Sequence, residues 1–388
     1  MNTNLSMSLR PSSTPPGNRI LGLDLARAVA IVFVVCSHAI HVQPEGWSEG
    51  WRSLAQAGSS GVSIFFALSG YLIGGQLFDG MTTGRFSLLG FWRRRWLRTM
   101  PAYFVFLLGN IVLYRTFALR PEPFDWRYLL CLQNLFTLPP VLFGESWTLC
   151  IEEWFYLLMP LMLLGARRVG LRGGRVFATA IVTLCAGAIA YRCLLLWTFG
   201  SVLHARGIVF ARLDALAFGV AVVVLDRLGF FTARRLRVAT IAGALTFSGW
   251  LVLMVVQGES GQTDPRRMIA EAVAMSVMPL AAALVMPALA RLDRFRPRFP
   301  EPAVRCVARV SYSMYLVNIP AVWLVNMIAA HRPLGFWAAL ALFSGATLAG
   351  AILSHQWIER PFIARYRRSG ESPVPIGAGV PPGWAVVS

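Results

Sequence analysis

The stretch LGLDLARAVAIVFVVCSHAI, residues 21–40, decides the fold class, because this long apolar run contains only three acidic, basic or histidine residues: Asp24, Arg27 and His38. A helix of this length crosses about 30 Å of hydrocarbon. Arg27 and His38 are eleven positions apart, which is three helical turns plus about 20°, so their side chains share one face about 16 Å apart along the axis. Asp24 lies one turn before Arg27 and is placed to pair with it.

Ionisable groups inside a membrane span predict a functional site, because a charge at the bilayer centre costs roughly 2.5–3.5 kcal/mol on insertion scales. The structural alternative is an Asp24–Arg27 ion pair near one membrane rim and a His38 side chain that reaches the opposite rim.

Composition extends this fold class to the whole chain. The 388 residues are 56% hydrophobic and have a mean hydropathy of +0.59, which is too apolar for a soluble domain. We predict an all-α, polytopic membrane protein with about ten transmembrane helices. Their predicted ranges are 20–42, 60–80, 99–115, 146–165, 176–198, 207–226, 238–256, 269–290, 310–330 and 335–356.

The net charge of +18 comes from 36 basic residues, all of them arginine. Arginine-rich connections alternate with arginine-poor ones, which indicates positive-inside topology and excludes a nucleic-acid-binding surface. We therefore expect both termini in the cytoplasm and the chain in a bacterial inner membrane. The arginine-rich connections are 85–98, 167–175, 227–237, 291–309 and 360–368.

The segments outside the spans predict three parts. We expect a disordered cytoplasmic N-terminus over 1–19, a membrane domain over 20–362 and a flexible cytoplasmic tail over 363–388. The connection 116–145, rich in proline and aromatic residues, is expected to cap the outer mouth of the protein or to dip back into it. The six cysteines lack metal-ligand spacing, so we predict no metal site.

Two motifs near the second and third spans have both structural and functional interpretations. In FFALSGYLI, residues 65–73, Ser69 and Gly70 permit close approach of either another helix or a ligand. In FWRRRWLRTMPAYF, residues 91–104, the guanidinium groups of Arg95 and Arg98 suit phosphate contacts. The alternative for this cluster is an ordinary positive-inside anchor or a lipid headgroup site.

The fourth and sixth spans carry further charges. In ESWTLCIEEWFYLLMP, residues 145–160, Glu152 and Glu153 diverge by about 100° on a helix, so one is expected to face a site and the other a structural partner. Which one faces the site stays open. In ARLDALAFG, residues 211–219, Arg212 and Asp214 point to different faces, and ion pairs to other helices are the default interpretation.

Taken in order, these segments resemble acyltransferase family 3, the integral-membrane acyltransferases of glycans and related acceptors, over residues 20–362. The resemblance implies ten core helices and an acyl-coenzyme A donor, acetyl-coenzyme A being the commonest, reached from the cytoplasm. It also implies that Arg27 and His38 are the essential pair of the first helix. Arg95 and Arg98 then lie near the donor's phosphates, and Glu153 or Glu152 occupies the acidic position of the fourth helix.

The remaining polar residues are expected to support this site. We assign structural support to Asp24, Ser69, Arg212 and Asp214. The chain departs from the family pattern at Asn318, where relatives often carry histidine, which places more of the chemistry on His38. We also expect it to work without the hydrolase-like outer domain of some relatives, and therefore to transfer the acyl group directly to the acceptor.

The expected function is therefore membrane-bound O-acyl transfer to a carbohydrate hydroxyl, on an exopolysaccharide such as cellulose or another cell-surface glycan. His38 would act as general base or as a transient acyl-imidazole, aided by Glu152 or Glu153. We expect no tightly bound cofactor. Expected partners are the carbohydrate acceptor, the lipid bilayer and polysaccharide synthesis or export machinery.

Two other functional classes fit parts of the pattern. A transporter or flippase of a glycan or lipid-linked intermediate also places ionisable groups in its spans, but the sequence has no evident repeat between its halves and no paired broken helices. A catalytically inactive membrane subunit or sensor would bind no coenzyme A.

Overall fold

The structure, a computed structural model, describes residues 20–117, 124–138, 141–257, 265–292 and 301–368. The predicted disordered N-terminus (1–19) and most of the predicted tail (369–388) lie outside these ranges, as do parts of the connections 116–145 and 291–309. Within the described ranges every regular element is helical, and nine helical stretches are long and apolar enough to cross a membrane. The prediction of an all-α polytopic membrane protein is confirmed, whereas the orientation of the termini stays a prediction.

Thirteen α-helices, numbered α1 to α13 in chain order, make up the described fold. Their bounds are Leu21–Ala39, Glu49–Ala57, Gly61–Thr82, Leu88–Phe117, Ser146–Arg168, Gly174–Phe199, Val202–Gly207, Leu213–Arg227, Ala233–Gln257, Pro265–Ala290, Glu301–His331, Phe336–Ser354 and Arg360–Arg368. A π-helical turn, His355–Glu359, joins the last two.

The sixth predicted span, 207–226, differs most from its prediction. Only its first residue, Gly207, belongs to the short helix α7; the run then passes through a turn into α8, which has only 15 residues. Fifteen residues rise about 22 Å, less than the hydrocarbon thickness. Most side chains of α8 are buried by neighbouring helices, so its apolar character reflects a central packing position.

Helices α3 and α8 touch backbone to backbone through glycine. A Cβ on Gly70 would lie 2.0 Å from the carbonyl oxygen of Leu216, and a Cβ on Gly219 would lie 2.2 Å from that of Ala67. Small residues at such crossings let membrane helices approach closely. The interpretation of Ser69-Gly70 as a close-approach motif therefore holds for Gly70, and its partner is α8.

Replacing Gly219 with alanine is expected to destabilise the protein by about 1–3 kcal/mol, because the added methyl group meets rigid backbone. Thermal unfolding of the purified protein in nanodiscs measures the change. Gly249→Ala is the matched control, since a Cβ there meets nothing within 4 Å and alanine favours the helix. Equal melting temperatures for the two variants would contradict the packing role of Gly219.

The described part of the connection before α5 dips into the protein, which is one of the two arrangements that its sequence predicts. Gln133 and Asn134 are fully buried. The Asn134 amide donates to the carbonyl oxygens of Trp147 (3.0 Å) and Gly207 (2.7 Å), and Gln133 donates to the Ser146 hydroxyl at 3.0 Å. These bonds satisfy the buried side-chain nitrogens of the two residues and tie the start of α5 to the turn before α8.

Candidate active site

Two adjoining cavities bring most of the predicted site residues together. The first, which we call the arginine cavity, has a volume of about 110 Å³ and is lined by Arg27, Ser69, Arg95, Arg98 and Glu152 among others. The second, the histidine cavity, has a volume of about 460 Å³, and His38 and Arg212 are among its lining residues. Val62 and Tyr315 line both, so the two cavities meet at these side chains.

Helix α1 positions Arg27 at one cavity and His38 at the other, as their shared face predicts. The Arg27 Nη1 lies 2.8 Å from Oδ1 of the buried Asp24 one turn earlier. Arg305 of α11 also approaches Asp24, at 3.9 Å. The carboxylate thereby fixes the Arg27 side chain and offsets part of its charge.

The arginines of α4 complete the cationic end of the arginine cavity. Arg95 donates to the Gln76 amide oxygen at 2.9 Å, and its guanidinium lies 5.5 Å from the centre of the Tyr156 ring. Arg98, one turn later, is exposed at the same cavity. Glu152 is the one carboxylate among the described lining residues, so the lining is net positive, as an anionic ligand requires.

The two adjacent glutamates face different surroundings. Glu152 accepts hydrogen bonds from the Ser69 hydroxyl (2.9 Å) and the Tyr156 hydroxyl (3.0 Å) and lines the arginine cavity. Glu153 accepts from the Thr99 hydroxyl at 2.8 Å and lines a mostly apolar cavity of about 320 Å³ on the other side of Arg95 and Tyr156, which line both cavities. The divergence predicted from helical geometry is therefore present, and the geometry favours Glu152 as the residue at the site.

Asn318 of α11 orients the His38 ring through a short hydrogen bond between Asn318 Oδ1 and His38 Nδ1. The Asn318 amide nitrogen donates to the backbone oxygens of Met314 (3.1 Å) and Tyr315 (2.7 Å), which directs its Oδ1 to the ring. Since Oδ1 can only accept, Nδ1 donates, and the neutral imidazole keeps its free lone pair on Nε2. Asn318 thus fixes the tautomer suited to a base.

The His41 ring lies near the His38 ring, with 6.5 Å between their centroids. It follows the end of α1. Burial, and then the nearby Arg52 guanidinium, lower the pKa of His41 below its ordinary value. His41 is therefore neutral at neutral pH and adds no positive charge beside His38.

Arg212 and Asp214, two charged residues of the sixth predicted span, have different partners in the structure. Asp214 accepts from Arg192 of α6 at 2.7 Å, and both side chains are buried. It also accepts from the Ser276 hydroxyl of α10 at 2.5 Å. Arg212 instead lines the histidine cavity. The inter-helix ion pair expected by default is present for Asp214 and, within the described part of the chain, does not occur for Arg212.

Sequence reasoning assigned no site role to Asn318, Tyr156, Tyr315 or Arg192. Tyr315 stands at the junction of the cavities, where its hydroxyl donates to the Glu145 carbonyl oxygen at 2.9 Å and lies 2.7 Å from the Thr148 hydroxyl. The available signal was a polar group on an apolar helix, as in YSMYLVN, residues 312–318. That signal does not show which residue each polar group contacts in the folded protein.

Comparison with known proteins agrees with this arrangement. A family model described as an acyltransferase domain matches residues 20–355. The O-acetyltransferase OatA of Staphylococcus aureus is 34% identical over 161 residues, which are 37% of this chain and 24% of that protein. The peptidoglycan O-acetyltransferase OatA of Listeria monocytogenes is 26% identical over 371 residues, or 87% of this chain and 55% of that protein.

A third relative is similar in length to the chain. The acyltransferase MdmB of Streptomyces mycarofaciens is 27% identical over 82% of this chain and 85% of its own length, whereas the chain spans about half or less of the OatA proteins. No solved structure matches. The family model covers nearly all of the described membrane helices together with both cavities, and the chain therefore belongs to acyltransferase family 3.

Proposed function

We propose that this protein moves an acetyl group from acetyl-coenzyme A to a hydroxyl of a carbohydrate, on an exopolysaccharide or another cell-surface glycan. The observation that carries this proposal is the pair of joined cavities, one with three guanidinium groups and the other with an oriented imidazole. A long donor with an anionic end and a reactive thioester end matches this separation of charge and base.

The arginine cavity supports an acyl-coenzyme A donor through its charge and its size. Guanidinium groups bind phosphate through paired, charge-assisted hydrogen bonds. A volume of about 110 Å³ admits a thin chain and no nucleotide. The phosphates would lie at the exposed Arg98 end, with the pantetheine arm running past Val62 and Tyr315 towards His38.

The reaction needs an acyl transfer and the movement of one proton from the acceptor hydroxyl to the departing thiolate by way of His38. His38 Nε2 takes the proton of the acceptor hydroxyl as its oxygen attacks the thioester carbonyl carbon. The carbon–oxygen bond forms, the carbon–sulfur bond breaks, and the coenzyme A thiolate leaves and takes up the proton that Nε2 had removed. The alternative order, in which Nε2 itself first receives the acyl group, uses the same residue as nucleophile.

The histidine cavity supports a carbohydrate acceptor. Trp147 and Trp250 are among its lining residues, beside polar side chains from several helices. The names of two relatives, a peptidoglycan O-acetyltransferase and an O-acetyltransferase, agree with ester formation on a glycan. We further propose a bacterial inner-membrane location and association with polysaccharide synthesis or export machinery.

Steady-state kinetics of the purified full chain in nanodiscs tests the donor site. With acetyl-coenzyme A varied and free thiol measured, Arg95→Gln and Arg98→Gln are each expected to raise KM for the donor about tenfold or more, because each removes a charge-assisted contact. Arg237→Gln, at an exposed position, is the matched loss of charge and should change nothing. Unchanged donor KM in both cavity variants would contradict the proposed donor site.

The acceptor is identified in the native host. A deletion strain is compared with strains that carry the wild-type gene or His38→Ala. Ester-linked groups are released from each surface glycan by mild base and identified by mass spectrometry. One ester that only the wild type restores names both acyl group and acceptor. An unchanged ester profile beside a defect in glycan export would contradict acyl transfer in favour of transport.

A further inference from the structure

Arg212 is a buried residue that forms no ion pair within the part of the chain that the structure describes. Its side chain is only 4% exposed, and its Nε has no hydrogen-bond partner. The nearest acid in sequence, Asp214, is held by Arg192 and Ser276. The contact it does make is with the Phe66 ring, whose centre lies 5.7 Å from the guanidinium carbon. A buried charge is costly unless it is paired, so this guanidinium is suited to an anion that enters from outside the chain.

The histidine cavity is where that anion would enter. Arg212 lines it together with His38 and with Arg206, which is exposed. The one acidic residue among its described lining residues, Glu271, pairs with Arg267 at 3.1 Å. Arg206 and Arg212 therefore leave the cavity with an excess of positive charge beside the proposed base.

We propose that the acceptor is an acidic sugar whose carboxylate binds Arg212 while a hydroxyl of the same saccharide reaches His38. This proposal rests on the proposed function, since it names the acceptor class of the same site. The planar guanidinium fork matches a carboxylate through two parallel hydrogen bonds. Trp147 packs edge-on against Phe66, with ring centres 6.2 Å apart, so an aromatic side chain lies beside the anion site and offers a surface for a sugar ring.

The proposal separates acidic glycans, which carry uronic acid or a similar carboxylate, from neutral ones such as cellulose. The neighbouring arginine supports this distinction, because Arg206 adds a second positive charge on the way to Arg212. A neutral sugar would leave the Arg212 charge buried and unpaired in the complex. Because such an unpaired group is costly, the site would discriminate against neutral sugars.

A matched pair of disaccharides tests the proposal. Cellobiouronic acid and cellobiose differ by one carboxylate in place of a hydroxymethyl group. Binding of each to the full chain in nanodiscs is measured by calorimetry, and acetyl transfer to each is measured by thiol release and product mass. The wild type should bind the acidic sugar at least tenfold more tightly, and Arg212→Gln should remove this preference while leaving KM for acetyl-coenzyme A unchanged.

Further variants keep the result interpretable. Arg237→Gln should retain the preference, and Arg206→Gln should weaken it without disturbing the buried packing around Arg212. Equal wild-type binding of the two sugars would overturn the proposal. An equal loss of affinity for both sugars in Arg212→Gln would also overturn it, because Arg212 would then act in transition-state stabilisation or packing. Tighter binding of glucose 6-phosphate than of the acidic sugar would overturn it as well.

The outcomes also separate this inference from the proposed function. Tight, Arg212-dependent binding of cellobiouronic acid without thiol release or ester product would support the anion site and contradict acetyl transfer. Equally efficient transfer to both sugars would support acetyl transfer and overturn the acidic acceptor.

Discussion

His38→Ala is expected to lower kcat/KM for acetyl transfer by about 10²- to 10⁴-fold, the usual contribution of a general base. The reason is the hydrogen bond from His38 Nδ1 to Asn318 Oδ1, which leaves Nε2 as the proton acceptor at the cavity. The ring is partly buried, so its removal should leave insertion and folding intact. Thiol release with acetyl-coenzyme A and a glycan acceptor measures the loss, and size-exclusion chromatography checks the fold.

Two further variants serve as controls for the role of His38. His41→Ala removes the neighbouring ring, which does not line either cavity, and should retain transfer. Asn318→Ala keeps the base and frees its ring, so we expect an intermediate loss and a shifted pH profile. Retained activity in His38→Ala would exclude it as base. Rapid quenching followed by intact mass measurement separates the mechanisms, since an acetylated protein that disappears with His38→Ala identifies the acyl-imidazole.

Asp214→Ala is expected to cost about 3–5 kcal/mol of stability, because it leaves Arg192 charged and buried without its partner. The pair is enclosed, with side chains 5% and 0% exposed, and Arg192 also donates to the backbone oxygens of Ala211 and Ala272. Three helices, α6, α8 and α10, meet at this pair. Thermal unfolding in nanodiscs, followed by tryptophan fluorescence, measures the effect.

The chain also contains an exposed ion pair with the same N–O distance, which serves as a control. Arg127 and Asp125 also lie 2.7 Å apart, but their side chains are 40% and 19% exposed. The hydrogen bond from Arg127 lowers the pKa of Asp125 below its ordinary value, yet exposed pairs contribute at most about 1 kcal/mol. Arg127→Ala, which removes the pair but keeps the hydrogen bond from the backbone N–H of residue 127 to Asp125, should therefore barely change the melting temperature. Similar shifts in the two variants would show that burial does not set the value of the Asp214 pair.

Helical periodicity explains which features the sequence predicts well. The spacing of Arg27 and His38, and the divergence of Glu152 from Glu153, follow from 3.6 residues per turn. Both describe one helix, and both agree with the structure. The arginine alternation also reports on local segments, and the orientation that it indicates stays a prediction.

Contacts between helices explain what the sequence leaves open. Asp214 pairs with Arg192, 22 positions earlier, and His38 with Asn318, 280 positions later. A single sequence shows the polar groups and not their pairing, so the partners of Arg212 and Asp214 were unassigned. The length of α8 was missed for a related reason, since hydropathy does not distinguish apolar contact with protein from apolar contact with lipid.

The glycine contact between α3 and α8 has a mechanical consequence for the two cavities. No side chain separates Gly70 from Leu216 or Gly219 from Ala67, so we expect α8 and α3 to move together as one rigid body. Arg212, at the histidine cavity, directly precedes α8, and Ser69, at the arginine cavity, precedes Gly70 on α3. A shift of α8 is therefore expected to displace the hydrogen bond between Ser69 and Glu152, which would couple the shapes of the two cavities.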